Sequence, residues 1–100
     1  MELILTSGAV NDLNEIWDFL FHEVSSPDVA VRILNKLRKQ FLSLLEFPSL
    51  GRECFELEDK SPGLRCLTVD GYVIYYRKTS KKVEIANVLH SRRDKEQSID

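Results

Sequence analysis

Basic and aromatic side chains concentrate in the last third of the sequence, where they could bind or transform an anionic partner. The set comprises Arg65, Tyr72, Tyr75, Tyr76, Arg77, His90, Arg92 and Arg93. Arginine binds phosphates and carboxylates, and histidine exchanges a proton near neutral pH. Tyrosine is also common on strands for packing alone. Which role applies depends on the elements that position these residues.

Other chemistries find little support in the residue pattern. His90 has no Cys, Asp or His companion at metal-ligand spacing, and His22 lies far from it in the chain. Cys54 and Cys66 lack the C-x-x-C spacing of zinc or redox sites, so we interpret them as partly buried thiols. There is no Ser-His-Asp pattern, phosphate-binding glycine loop or pair of inward carboxylates. We therefore expect neither a metal nor a cofactor.

The net charge of −2 conceals a strong asymmetry along the chain. Residues 1–59 carry a net charge of −6, residues 60–95 carry +6, and the last five residues add −2. A basic segment of this kind favours an anionic partner such as nucleic acid or an acidic peptide, although a solvated sheet face would look the same.

Length and composition predict one compact domain over residues 1–100, with a polar tail from about residue 94 that frays. The 100 residues are 43% apolar and 30% charged, which is ordinary for a small globular chain. No apolar run approaches the roughly 20 residues of a membrane span, and the acidic start is not a secretory signal. We expect the protein in the cytoplasm.

Two helices are predicted after a short N-terminal strand at residues 3–5. Apolar residues recur at helical spacing over residues 8–24, and again from Pro27 until Phe47-Pro48 ends the pattern. Ser26, Pro27 and Asp28 form a helix start signal, so the two helices should fold back as a hairpin. The apolar stripe that we expect to pack on the sheet is Leu13, Trp17, Leu20, Ile33, Leu37, Phe41 and Leu44.

Strand patterns fill the rest of the chain, at residues 54–58, 64–69, 72–78 and 83–89. Asp70-Gly71 between two of them is a strong hairpin signal. The predicted fold is therefore α+β, in the order β-α-α-β-β-β-β, with the helical hairpin on one face of a mainly antiparallel sheet. The other face would then be free to bind. Simple alternation places His90 on the same face as Glu84, Ala86 and Val88.

From Ala9 to Asp94 the sequence resembles the RelE/ParE superfamily of type II toxins, small bacterial proteins that are paired with an antitoxin. The motifs that carry the resemblance are Ala9-x-x-Asp12-Leu13-x-x-Ile16, Phe47-Pro48-x-x-Gly51-Arg52, Leu64-Arg65-x-Leu67, Gly71 to Arg77, and Val83-x-Ile85-x-x-Val88-Leu89-His90-x-Arg92-Arg93-Asp94. Each motif is weak alone, and their order and spacing make the set specific. The fold implied by the resemblance is the one predicted above.

The resemblance favours the ParE branch over the RelE branch. RelE-like toxins cut messenger RNA on the ribosome and typically have an arginine after the Gly-Tyr of the middle hairpin, where this sequence has Val73. ParE-like toxins bind DNA gyrase and trap its cleaved-DNA complex, which makes them inhibitors and not enzymes. We accordingly expect Arg92, Arg93 and His90 to contact the target, with no catalytic residue.

Two alternatives stay open. In a RelE-like ribonuclease, His90 would act as general acid and Arg93 as phosphate ligand, with Arg65 replacing the missing arginine. Otherwise the chain is a non-toxic module that only binds the antitoxin.

The resemblance also implies a cognate antitoxin whose disordered tail folds onto the basic segment. The residues predicted to contact it are Arg65, Tyr76, Arg77 and Lys78. We expect no membrane contact and no sequence-specific DNA binding by this chain itself.

Overall fold

The computed structural model of the protein describes residues 1–23, 26–54 and 63–91. Its elements follow one another as β1 (Glu2–Leu5), α1 (Ser7–Asp18), a π-helical turn (Phe19–Glu23), α2 (Pro27–Glu46), β2 (Arg52–Glu53), β3 (Arg65–Val69), β4 (Tyr72–Lys78) and β5 (Lys82–His90). The predicted α+β fold and its element order are confirmed. Within the described residues, neither helix combines the length and the apolar character that crossing a membrane requires.

One five-stranded sheet carries the fold, in the order β1-β5-β4-β3-β2. The strands β2 to β5 form the predicted antiparallel series, and β1 joins β5 in parallel. The predicted tight turn lies at Asp70 and Gly71, whose φ angles of 53° and 87° are the positive values that this turn needs. The first strand of the chain therefore lies at one edge, beside the last.

Side-chain caps mark the starts of both helices of the hairpin. The Thr6 hydroxyl accepts a hydrogen bond from the Ala9 amide at the start of α1, and the Ser26 hydroxyl accepts one from Val29 at the start of α2. The first helix is shorter than predicted, because α1 ends at Asp18 and the chain continues as a π-helical turn. Residue 24, the predicted end of that helix, lies outside the described residues.

The main core lies between the helical hairpin and the sheet. Its fully or nearly fully buried members are Ala9, Ile16, Leu20, Ala30, Ile33, Leu37, Phe41, Leu44, Tyr72, Ile74, Tyr76, Val83, Ile85 and Val88. Five residues of the predicted stripe belong to it, whereas Leu13 and Trp17 are only partly buried at its margin. The Trp17 ring instead stacks on Phe21, with 5.4 Å between ring centroids. Trp17, predicted as a member of the packed stripe, therefore packs against the core from its edge.

The second face of the sheet carries its own buried cluster. Cys54, Leu64, Cys66, Val73 and Tyr75 are all buried there. The expectation that this face is free to bind therefore does not hold at these positions. Of the strand predicted at residues 54–58, Cys54 lies just beyond the observed β2, and residues 55–58 lie outside the described residues.

A β-bulge in β5 changes which residues share a face. Tyr75 pairs with Asn87 while the next residue, Tyr76, pairs with Ile85, so Ala86 has no partner on β4. The alternation of β5 therefore shifts by one residue at this point. Val83 and Ile85 before the bulge, and Val88 and His90 after it, all lie on the helix face.

Candidate functional site

His90 lies at one end of the sheet, opposite Tyr72. The two residues pair across β4 and β5, and their rings meet edge to face with 5.2 Å between centroids. Because of the bulge, His90 shares the helix face with Val88 and not with Glu84, which corrects the simple alternation. Its side chain is exposed, and the Ser91 amide donates to the Gly71 carbonyl 2.8 Å away, closing this end of the sheet. We call it the His90 end.

Two further groups shape the His90 end. Burial raises the pKa of Tyr72 above 10.0, and the nearby Asp70 carboxylate raises it further. Tyr72 is therefore a neutral hydroxyl at physiological pH. The Lys36 ammonium lies 3.3 Å from the Asp70 carboxylate, so α2 is tied to the turn that precedes Tyr72.

Tyr76 organises the loop that follows α2. Its side chain has no exposed surface, and its hydroxyl donates to the Pro48 carbonyl and accepts from the Gly51 amide, both at 2.9 Å. A side chain at Gly51 would not fit, because its Cβ would lie 2.5 Å from the Cys66 carbonyl oxygen and 2.7 Å from the Tyr76 hydroxyl. Tyr76 was predicted to contact an antitoxin, and in this structure it can shape a surface only through the loop it holds.

Arg65 serves the same loop. Its guanidinium donates to the carbonyls of Ser49, at 3.3 Å, and Gly51. Arg65 pairs with Tyr76 across β3 and β4, so the two side chains lie next to each other under the loop. The structure assigns both residues a local structural role that explains the spacing of Phe47-Pro48-x-x-Gly51 and Leu64-Arg65.

Arg77 and Lys78 lie at the opposite end of β4 and remain accessible. The Arg77 guanidinium lies 4.0 Å from the Glu84 carboxylate on β5, and both side chains are about one-third exposed. Lys78 is exposed and leads into a turn where the Thr79 hydroxyl accepts from the amides of Lys81 and Lys82, at 3.2 and 3.1 Å. This turn brings Lys78, Lys81 and Lys82 together at one corner of the molecule, and we call it the lysine turn.

Arg65 and His90, the two described residues of the alternative catalytic trio, do not lie close together. Arg65 pairs with Tyr76 and His90 with Tyr72, so the two lie four residues apart along β4, about 13 Å. They also lie on strands that flank β4 on opposite sides, about 10 Å apart. Arg93, like the predicted target contact Arg92, lies outside the described residues. Within residues 1–23, 26–54 and 63–91, no three His, Cys, Asp or Glu side chains cluster as metal ligands would.

An apolar groove between the helices and β1 was not recognised in the sequence. It has a volume of about 530 Å³ and is lined by Leu3, Leu5, Leu13, Asn14, Trp17, Leu34, Arg38, Phe41 and Leu42. Leu5 and Leu42 are 38% and 50% exposed although they occur in apolar patterns. Leu42 comes one residue after the buried Phe41, so the helical spacing places it off the centre of the apolar stripe. An apolar residue in that position is the signal that could have revealed the groove.

Comparisons with known proteins agree with the fold and the motifs. A family model described as the ParE toxin of the type II toxin–antitoxin system parDE matches residues 3–95. No curated protein gave a significant match to the sequence. The chromosomal ParDE toxin–antitoxin system from P. aeruginosa contains a chain of similar structure, with a TM-score of 0.71 and 23% identity over 90% of this chain and 95% of that one.

Two structures that contain YafQ are also similar to this chain. The DinJ-YafQ complex from E. coli contains a chain with a TM-score of 0.56 and 16% identity, over 92% of this chain and 94% of that one. YafQ from E. coli strain BL21(DE3) matches with a TM-score of 0.55, the same identity and the same coverage. At these identities the likeness concerns the fold.

Proposed function

Because the chain belongs to the ParE toxin family of type II toxin–antitoxin systems, we propose that it inhibits DNA gyrase by trapping the cleaved-DNA complex of that enzyme. Arg92 and Arg93, which follow Ser91 in the chain, contact the target together with His90. The placement of Arg65 carries the proposal. A ribonuclease of this fold would need Arg65 beside His90 to stabilise charge on a phosphate, whereas its guanidinium binds loop carbonyls at a distance from His90.

The proposed inhibition involves no proton transfer, and this distinguishes it experimentally from RNA cleavage. The isolated protein should block supercoiling by gyrase and leave linearised DNA in the presence of ATP, while translated messenger RNA stays intact. The double variant Arg92→Ala/Arg93→Ala should lose at least tenfold in inhibition. His90→Ala should change it by less than threefold, since no proton is transferred. Lys78→Ala/Lys81→Ala removes the same charge at the other end of β4 and serves as the matched control.

The opposite outcomes are equally clear. Messenger RNA cleaved in the ribosomal A site, with activity lost in His90→Ala and supercoiling untouched, would overturn the proposal and make His90 the general acid. A protein that binds its antitoxin but affects neither gyrase nor translation would be a non-toxic binding module.

The antitoxin relationship follows from the same family, and we propose where its tail binds. The tail would place apolar side chains in the groove beside β1 and acidic side chains on the lysine turn, with Arg77 at its margin. The groove and the lysine turn adjoin, because Glu2 at the start of β1 pairs with Lys82. A disordered segment gains affinity from apolar anchors and speed from charge attraction, and this corner of the molecule offers both.

A further inference from the structure

The outward face of α2 carries a cationic stripe. Its residues line a shallow, open depression of about 470 Å³ and are Asp28, Val31, Arg32, Asn35, Lys36 and Lys39. They recur at intervals of three and four residues, which places them on one face of the helix. All six are exposed, and three positive charges stand against one negative charge. We call this face the α2 stripe.

The α2 stripe reaches the end of the sheet from which the proposed target contacts extend. Lys36 bonds to Asp70, and the next residue, Gly71, accepts from the amide of Ser91. Ser91 immediately precedes Arg92 and Arg93 in the chain. The stripe and the start of the predicted target-binding segment therefore belong to one side of the molecule, away from the lysine turn.

We propose that the α2 stripe binds the phosphate backbone of the DNA that the target holds. This inference rests on the proposed function and adds a second contact to it: the protein binds gyrase through the segment after β5 and the DNA through α2. Lysine, arginine and asparagine side chains make the phosphate contacts that position a protein without reading sequence. Such contacts agree with a chain that has no sequence-specific DNA binding of its own.

The composition of the stripe favours phosphates over an acidic peptide. Peptide segments that dock on a protein need large apolar or aromatic anchors, and the only apolar residue of the stripe is Val31. The groove, which borders the stripe along α2, contains the anchors that the stripe lacks, among them Trp17 and Leu42. Arg32 and Lys39 lie seven residues apart, about 10 Å along the helix axis, so their long side chains can reach two phosphates of one strand.

A double variant and a matched control test the contact without disturbing the fold. The double variant Arg32→Gln/Lys39→Gln removes two exposed charges and spares Lys36, whose bond to Asp70 joins α2 to the sheet. The control Lys78→Gln/Lys81→Gln removes the same net charge at the lysine turn. The two variants should melt within a degree or two of the parent protein, which confirms that they fold.

The first measurement is binding of each protein to a fluorescent duplex of arbitrary sequence, as a function of salt. Each phosphate contact contributes about 0.9 to the slope of log K against log salt concentration, so the stripe variant should lose about 1.8 and the control variant should keep the parental slope. Equal losses in both variants, or no duplex binding by the parent at 50 mM salt, would overturn the proposal. Loss of binding to a poly-glutamate peptide without loss of binding to the duplex would identify an acidic protein segment as the partner and overturn it as well.

The second measurement uses gyrase itself. The stripe variant should need at least a tenfold higher concentration than the parent to trap cleaved DNA, and the difference should widen as salt is lowered. Unchanged trapping by the stripe variant would refute the DNA contact while leaving gyrase inhibition standing. If the parent does not inhibit gyrase, the proposed function fails, and the duplex measurement still decides whether the stripe binds phosphate.

Discussion

The carboxylate of Asp12 on α1 accepts hydrogen bonds from the Val88 amide, at 2.9 Å, and from the Asn87 side chain, at 3.0 Å. Val88 and Asn87 come directly after the bulged residue Ala86, on the part of β5 that extends beyond β1. Asp12 thus satisfies a backbone donor that no neighbouring strand reaches. This side chain joins the first helix to the final strand, two residues before His90.

Asp12→Ala should therefore destabilise the protein. Its loss leaves the Val88 amide without its charged acceptor, which typically costs about 1.5 to 3 kcal/mol. Urea unfolding would measure the change in the free energy of unfolding. Asp18→Ala, an exposed carboxylate on the same helix, should change it by no more than about 0.5 kcal/mol. Equal effects of the two variants would contradict the role given to Asp12.

Tyr76→Phe should destabilise the protein by about 1 to 3 kcal/mol, because the loop groups at Pro48 and Gly51 both lose their partner. Thermal melting would measure the loss. The control Ser43→Ala removes a hydroxyl that bonds to a helix carbonyl at the surface, and it should have little effect. A melting temperature unchanged by Tyr76→Phe would show that the loop does not depend on that hydroxyl.

Leu37→Ala should cost more stability than Trp17→Ala, although tryptophan is the larger side chain. Leu37 is 1% exposed at the centre of the core, and its truncation is expected to cost about 2 to 5 kcal/mol. Trp17 packs at the margin and lines the groove, so its truncation opens no closed cavity. Urea unfolding of the two variants side by side gives the order, and the reverse order would place Trp17 back in the core.

The stability of the protein should fall above about pH 10. The pKa of Tyr72 is raised in the folded state, by burial first and by Asp70 second, so the unfolded chain releases its phenolic proton first as the pH rises. The stability that the neutral hydroxyl contributes is thus complete below pH 10 and is lost as the pH passes through the folded pKa. Urea unfolding at several pH values should show a shallower decline for Tyr72→Phe than for the parent. Parallel declines would mean that Tyr72 titrates alike in both states.

Reversing the charges of Arg77 and Lys78 to Glu should slow association with the antitoxin and flatten its salt dependence, because an acidic tail would then be repelled at this corner. Stopped-flow mixing at several ionic strengths would measure the association rate. Reversing Arg32 and Lys39 instead, on the outward face of α2, should have a much smaller effect. A rate that is unchanged by the first pair would place the antitoxin contact elsewhere.

Sequence patterns predicted the helices and strands, their order, and the side of the helical hairpin that packs on the sheet, because periodicity and turn residues are local signals. The face on which His90 lies could not be predicted in this way. Ala86 and Asn87 include neither the glycine nor the proline that often marks a bulge, and the bulge depends on Thr6 and Asp12, which are distant in the chain. The structural roles of Arg65 and Tyr76 were missed for the same reason, since both depend on carbonyl groups of a loop that is 14 to 28 residues away.

The parallel pairing of β1 with β5 determines when the sheet can be completed during synthesis of the chain. Thr6 bonds to the carbonyl of Ile85, 79 residues later in the chain, so this sheet edge cannot form until Ile85 has been synthesised. Helices and hairpins made of local contacts form early, whereas distant pairings form late. During translation the emerging chain therefore remains an unfinished sheet. Its folded form arises only after β5 has been synthesised, when an antitoxin already present can bind it as it folds.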